Sequence, residues 1–178
     1  MDRELSILRK LYGRVPLHRA ALSATDFGPV KGTRRCEVAM AIRRQSGRIL
    51  LQTKAFYPPR TFRLPTGGIK EGEDVEHALL REVHEETNLS VEVERPVAVI
   101  EHTASDGRAA FRSYLFLVRE TGGELRVNDP RERISGWEDR DVAGLERAIG
   151  QLRGLTGAWE HWGRFRAVPL DVLVRAIG

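Results

Sequence analysis

Cysteine is almost missing from this sequence. Cys36 stands alone among 178 residues, which excludes an internal disulfide and a Cys-rich zinc centre and makes a reduced, cytoplasmic setting the expectation. Long apolar runs are also lacking: no stretch approaches the ~18 to 20 residues that span a bilayer, so no membrane association is expected. The first residues, Met1-Asp2-Arg3-Glu4-Leu5, lack the apolar segment and small-residue cleavage site of a secretory signal. Repeats and low-complexity tracts are absent, and a prior of about 150 residues per domain argues for one core. What is present is ordinary globular composition, with 41% hydrophobic and 30% charged residues, 17 Gly and 8 Pro. A net charge of +4 permits an anionic substrate without demanding nucleic acid.

Patterning along the chain predicts alternating helices and strands. Leu5, Leu8, Leu11 and Tyr12 recur at helical spacing until Gly13 and Pro16 interrupt, so a short N-terminal helix followed by a loop to about Gly32 is expected. Cys36 to Ile42 and Arg48 to Thr53 read as a hairpin around Gln45-Ser46-Gly47, and Pro58-Pro59 forces a loop. Val75 to Thr87 is helical. Val91 to Val93, Val97 to Thr103 and Ala110 to Arg119 read as strands, the last two joined at Asp106-Gly107. A short strand at Ile134 to Trp137 and a helix over Asp141 to Leu152 follow, then an aromatic segment with Trp159, Trp162 and Phe165, and a last short helix from Pro169 to Ile177.

The helix from Val75 carries the chemistry. At about 100° per residue, with Val75 at the origin, Leu79 and Val83 define an apolar stripe, and Glu86 and Glu82 fall inside or at its edge. Glu85 lies to one side. These acids include i,i+3 and i,i+4 neighbours, each like pair costing roughly 0.2 to 0.5 kcal/mol, and they crowd the helix end where the macrodipole disfavours anions. Arg81, i,i+4 from Glu85, is the cation this part of the helix supplies, which leaves Glu82 and Glu86 unneutralised one turn apart. Such a pair suits a hard divalent ion, Mg²⁺ or Mn²⁺. Gly67-Gly68 and Gly72 upstream mark a loop that turns tightly or approaches something closely. His77 and His84 fall on the opposite, solvent face, and His102 reads as a core or rim histidine.

The segment Gly67 to Leu89 resembles the Nudix box, Gly-x5-Glu-x7-Arg-Glu-U-x-Glu-Glu-x-Gly-U with U aliphatic. Gly67, Glu73, Arg81, Glu82, Val83, Glu85, Glu86 and Leu89 match in register, and Asn88 replaces the final glycine. Asn is the next best residue for a left-handed helix end, so this departure bears on stability more than on chemistry. The resemblance implies an α/β fold, an α/β/α sandwich with a mixed β-sheet. Residues 35–178 would form the domain, including a C-terminal helical tail, and residues 1–34 an extension.

The resemblance further implies metal-dependent hydrolysis of a diphosphate linkage in a nucleoside diphosphate joined to another moiety, by attack of water at phosphorus. By position, Glu82 and Glu86 would be metal ligands, Glu85 a ligand or the base, and the Thr66 carbonyl a further ligand. Arg81 would orient Glu85, Glu73 would buttress Arg81, and Gly67 and Gly68 would shape the loop. Glu132, in a later loop with no predicted partner on a helix and a pKa free to rise, is the favoured base or an added metal ligand, since pairing with Arg81 would make Glu85 a better ligand and a poorer proton acceptor. Arg44, Arg60 and Arg63, from a basic run before the box, are candidate substrate contacts, and Tyr57 to Phe62 a base-stacking loop. Two alternatives stand beside this reading: an RNA 5′-pyrophosphohydrolase, and a catalytically silent domain that senses a nucleotide. Either a monomer or a homodimer is compatible with the sequence.

Overall fold

The structure, a computed structural model, describes residues 3–21, 36–103 and 109–178. Its elements are α1 (Arg3–Tyr12), β1 (Leu17–Ala21), β2 (Cys36–Arg43), β3 (Ile49–Lys54), β4 (Thr66–Gly68), α2 (Val75–Thr87), β5 (Leu89–Thr103), β6 (Ala109–Gly123), β7 (Ile134–Arg140), α3 (Val142–Arg153) and α4 (Glu160–Ile177). The strands form one mixed sheet in the order β1-β5-β6-β2-β3-β7, with β4 paired to β2. Parallel pairing joins β1 to β5 and β2 to β6.

Strict alternation along the central strands explains the layering. In β2, Val38, Met40 and Ile42 join Tyr114, Phe116 and Val118 of β6 on one face, where Leu79 and Val83 of α2 and Leu5 and Leu8 of α1 cover them. Ala39 and Ala41, with Leu115 and Leu117, face the other way against Leu145 and Leu152 of α3 and Leu170 and Leu173 of α4. The result is the α/β/α sandwich with a mixed sheet that the motif implies. α3 and α4 touch closely at Gly163, where an added Cβ would lie 2.2 Å from the Leu152 carbonyl oxygen.

Several expectations need correction. The segment after α1 is not all loop, because β1 adds to β5 in register Leu17↔Val99 through Ala21↔Thr103. Its side chains alternate only between exposed and half-buried, so the strand owes its existence to the backbone edge of β5 rather than to apolar patterning. The two strands expected around Pro96 are one, β5, which runs through the proline with register shifts at Val93/Arg95 and Pro96/Ala98. These irregularities accommodate a residue with no N–H. The tail is one 18-residue helix rather than an aromatic segment and a short helix, and Pro169 lies inside it. An interior proline costs about 3 kcal/mol. Burial of Trp162, Phe165, Leu170 and Leu173, each contributing about 1.5 to 3 kcal/mol, outweighs that. The Asp106-Gly107 turn and the remainder of the expected loop, residues 22–35, lie outside the described residues.

The hairpin at Gly47 (φ 80°) is real but short. β2 and β3 pair only at Arg43↔Ile49, after which they part, and β4 takes the vacated edge of β2 with Ala39↔Thr66 and Val38↔Gly67. That divergence brings Thr66 and Gly67 under α2.

His102 is a core residue, fully buried against the ring of Phe165 at 4.7 Å. Ser113 donates its hydroxyl proton to Glu37 at 2.8 Å, so the His102 ring donates to Ser113 from Nε2 at 3.1 Å. Burial pushes the His102 pKa down to about 4. The native state therefore holds a neutral imidazole, which the unfolded chain protonates near its ordinary value of about 6.5. This contribution to stability is fully present above that value and is lost as the pH falls toward 4, for a total of about 3 kcal/mol. Urea unfolding of wild type and His102→Gln between pH 7 and 4 should show this part of the acid sensitivity in the wild type and its loss in the variant.

Candidate active site

α2 begins at Val75 because Asp74, in extended conformation, precedes it, and it ends at Asn88, which takes the left-handed conformation (φ 56°, ψ 15°). Asparagine thus supplies the helix-ending geometry that glycine provides in the motif. The buried face consists of Val75, Ala78, Leu79, Glu82, Val83 and Glu86, so two carboxylates do lie in the apolar stripe. Glu86 is wholly inaccessible, Glu82 is 6% exposed, and the Glu85 side chain is 33% exposed.

Arg81 organises the outer part of the site. Its Nε donates to Glu73 Oε1 at 2.7 Å and its Nη2 to Glu73 Oε2 at 2.8 Å, a two-point pairing, while Nη2 also reaches the Gly68 carbonyl at 3.0 Å. Nη1 donates to Glu82 Oε1 at 2.7 Å and to Glu85 Oε2 at 3.1 Å. These hydrogen bonds from Arg81 hold the Glu73 carboxyl down at about 2. Burial pushes Glu82 up, against the pull of Arg81.

The inner carboxylate has partners from β3. Gln52 Nε2 donates to Glu86 Oε2 at 3.0 Å, and Lys54 Nζ lies 3.5 Å from Glu86 Oε1 and 2.5 Å from Glu132 Oε2. Strand alternation puts Leu50, Gln52 and Lys54 on the α2 side of the sheet. The expectation that Glu82 and Glu86 lack counter-charges is therefore corrected: Arg81 serves the first and Lys54 the second. The expectation for Glu132 is corrected in the same way. Burial works upward on its carboxyl, but the hydrogen bond and charge of Lys54 outweigh burial and hold it below the usual carboxylate range. Glu86 differs, since burial dominates there and raises it to about 7 despite Arg63 and Lys54.

Glu132 reaches the site through a loop docked on the end of α2. The Asn128 and Asp129 amides donate to the Glu85 carbonyl at 3.0 and 3.1 Å, and the Arg126 amide to the Thr87 carbonyl at 3.1 Å. These donors satisfy the carbonyls that the helix end leaves open. A single turn of 3-10 helix, Pro130–Glu132, follows, and β7 then pairs with β3.

A cavity of about 1010 Å³ opens beside α2 and is lined by Glu82, Glu85, Glu132, Arg81, Thr66, Gly67 and Gly68 among others. Arg63 lines it too but is committed to the Tyr57 hydroxyl, the Leu64 carbonyl and Thr66 Oγ1 at 2.8, 2.6 and 3.1 Å. Arg44 and Arg60 are not brought to the site. Arg44 pairs with Glu120 and Asp139 elsewhere on the sheet, and Arg60 is exposed and left-handed (φ 61°) beyond the cavity wall. Runs of arginine do not reveal which members already have acidic partners across the sheet. His77 and His84 are exposed.

The residues fit a divalent cation. Glu86 Oε1 is buried without a hydrogen-bond partner, Glu82 stands one turn before it and Glu85 is its neighbour in the helix, and all offer hard oxygen donors. The Gly67 backbone sits so close that a Cβ there would lie 1.9 Å from Glu82 Cδ. Among the described residues no three acidic, cysteine or histidine side chains are grouped to hold a metal ion as they stand, and Glu82 is turned onto Arg81.

Known proteins resemble this chain in sequence and in fold. The NUDIX domain model matches residues 33–156. An ADP-ribose pyrophosphatase of Methanocaldococcus jannaschii is 38% identical over 68 residues, a stretch covering 38% of this chain and 40% of that relative's length. The structure of an ADP-ribose pyrophosphatase from Streptococcus suis superposes with a TM-score of 0.52 at 22% identity, covering 81% of this chain and 92% of the other. That of a MutT NUDIX hydrolase from Burkholderia pseudomallei gives 0.54 at 25% identity, covering 80% and 99%.

Gly67→Ala tests the close approach of β4 to α2. The new methyl group must displace the Glu82 carboxylate, which lies at the end of a flexible side chain, so the fold should persist. Hydrolytic activity should fall at least tenfold while the thermal midpoint moves by only a few degrees.

Proposed function

The chain belongs to the NUDIX family of hydrolases, and from that premise we propose that it hydrolyses the diphosphate linkage of a nucleoside diphosphate joined to another moiety, with Mg²⁺ or Mn²⁺ held by Glu82 and Glu86. The observation that carries this reading is the buried Glu86 carboxylate, one helical turn from Glu82, whose Oε1 accepts no hydrogen bond and has only the ion pair with Lys54 at 3.5 Å, beside a cavity large enough for such a ligand. When bound, a divalent ion neutralises diphosphate oxygens and lowers the pKa of a coordinated water.

The chain's own residues have separable tasks. Arg81, anchored on Glu73 and the Gly68 carbonyl, fixes the orientations of Glu82 and Glu85. Lys54 holds Glu132 toward Glu86. Glu85 is assigned the proton from the attacking water, because its side chain is the most open of Glu82, Glu85 and Glu86 and its contact with Arg81, at 3.1 Å, is longer than that of Glu132 with Lys54, at 2.5 Å. The Thr66 carbonyl is a further candidate ligand at the cavity wall. Lys70, which also lines the cavity, supplies positive charge for the substrate's phosphates. ADP-ribose is the first substrate to assay, because the Methanocaldococcus relative is an ADP-ribose pyrophosphatase.

Hydrolysis of ADP-ribose and other nucleoside diphosphate sugars should stop in excess chelator and return with Mg²⁺ or Mn²⁺. In ¹⁸O-labelled water the label should enter a phosphate product. Glu86→Gln should lower kcat at least a hundredfold while leaving the metal-free protein as stable as the wild type or more so, because a buried charge is removed. Undiminished turnover of the folded variant, or full activity in chelator, would sink the assignment.

A further inference from the structure

The cavity beside α2 is chemically two-ended. Toward α2 its wall consists of carboxylates and cations. Toward α4 it consists of Tyr57, Trp159 and Trp162, with Phe56, 46% exposed, as a neighbouring part of the wall. The rings form one cluster: Tyr57 and Trp162 lie 4.6 Å apart, Trp159 and Trp162 5.1 Å, and Phe56 and Tyr57 5.0 Å. Trp162 is buried and belongs to the core, but Trp159 and Tyr57 are only partly covered and line the open space. Trp159 and Trp162 lie beyond residue 156, where the match to the family's domain model ends.

A charged pair adjoins this aromatic end. Glu37 of β2 accepts from Arg166 Nη1 of α4 at 2.9 and 2.8 Å and from Ser113 at 2.8 Å, and both Glu37 and Arg166 line the cavity. The pairing uses one nitrogen of the guanidinium. Arg166 Nε is buried and the guanidinium lies over the Phe165 ring at 4.7 Å, which fixes the fork and leaves Nη2 as the nitrogen that Glu37 does not engage.

A nucleoside diphosphate conjugate has one planar, weakly hydrated group, its base. Sugar and diphosphate are strongly hydrated and gain little from an aromatic wall, whereas every base offers a face for stacking. We propose that the α4 end of the cavity is the nucleobase subsite of this protein, in which Trp159 and Tyr57 hold the base and Arg166, positioned by Glu37, donates to an acceptor on the base edge. The diphosphate then lies toward Glu82 and Glu85. This assignment rests on the proposed hydrolysis of nucleoside diphosphate conjugates.

The test uses non-hydrolysable probes and reads binding. Dissociation constants for AMP, UMP and ribose 5-phosphate are measured by calorimetry on the full chain in Mg²⁺ buffer. At least one of the two nucleotides should bind the wild type tenfold or more tightly than ribose 5-phosphate. Trp159→Leu keeps apolar bulk without a ring and should weaken the preferred nucleotide roughly tenfold. It should leave ribose 5-phosphate within twofold, and Trp159→Phe should recover most of the loss. Arg166→Lys keeps a charge for Glu37 without the fork and should narrow the discrimination between AMP and UMP. Thermal midpoints establish that each variant is folded. A wild type that does not distinguish nucleotides from ribose 5-phosphate overturns the subsite, as does a folded Trp159→Leu that loses both ligands equally. Hydrolysis by the wild type is scored separately. Its absence counts against the proposed function, whereas hydrolysis without base discrimination overturns the subsite alone.

Discussion

The guanidinium of Arg81 carries the constraint on which the site depends. A carboxylate on the core side of a helix stays ionised only when a cation and hydrogen-bond donors come to it, because burial penalises the charge. Arg81 serves three glutamates and a carbonyl at once. It achieves this because Glu73 lies before the helix, Glu85 follows one turn later, and the glycine strand β4 passes alongside. A lysine, with one compact charge, would lack the fork that joins Glu73 to Glu82 and Glu85. The rigidity of the acidic cluster thus originates in a residue that need not touch substrate.

The inner half of the site is built on different terms. Glu86 is supported from the sheet by Gln52 and Lys54 rather than from its own helix, and one of its oxygens remains unsatisfied. Buried groups left in this condition are uncommon and usually mark a place where something binds. Lys54 also draws Glu132 inward, so the loop before β7 and the strand β3 are linked through the acids they share with α2. The Glu86 carboxylate and the position of that loop are consequently linked through one ammonium group.

The two layers of helices divide the labour. α2, with α1 behind it, carries the acids and packs on the face of Val38 and Phe116. α4, packed on α3 across the opposite face, delivers Trp159, Trp162 and Arg166 to the same cavity. The cavity lies where β2 and β3 diverge, so groups from both faces of the sheet meet there.

What the sequence by itself determined is local. The period of Val75, Leu79 and Val83 placed Glu82 and Glu86 on the buried face. The box spacing related Glu73 to Arg81, and Asn88 marked the left-handed stop. Each of these depends on neighbours within about two helical turns, where backbone geometry alone sets the relation. The pairing of Lys54 with Glu86 and Glu132, the commitment of Arg44 to Glu120 and Asp139, the strand at Leu17–Ala21, the continuity of α4 through Pro169 and the aromatic wall were decided only by tertiary structure. Each joins segments tens of residues apart across a sheet. Whether a given cation, ring or strand edge finds a partner there depends on strand order, which local periodicity does not encode.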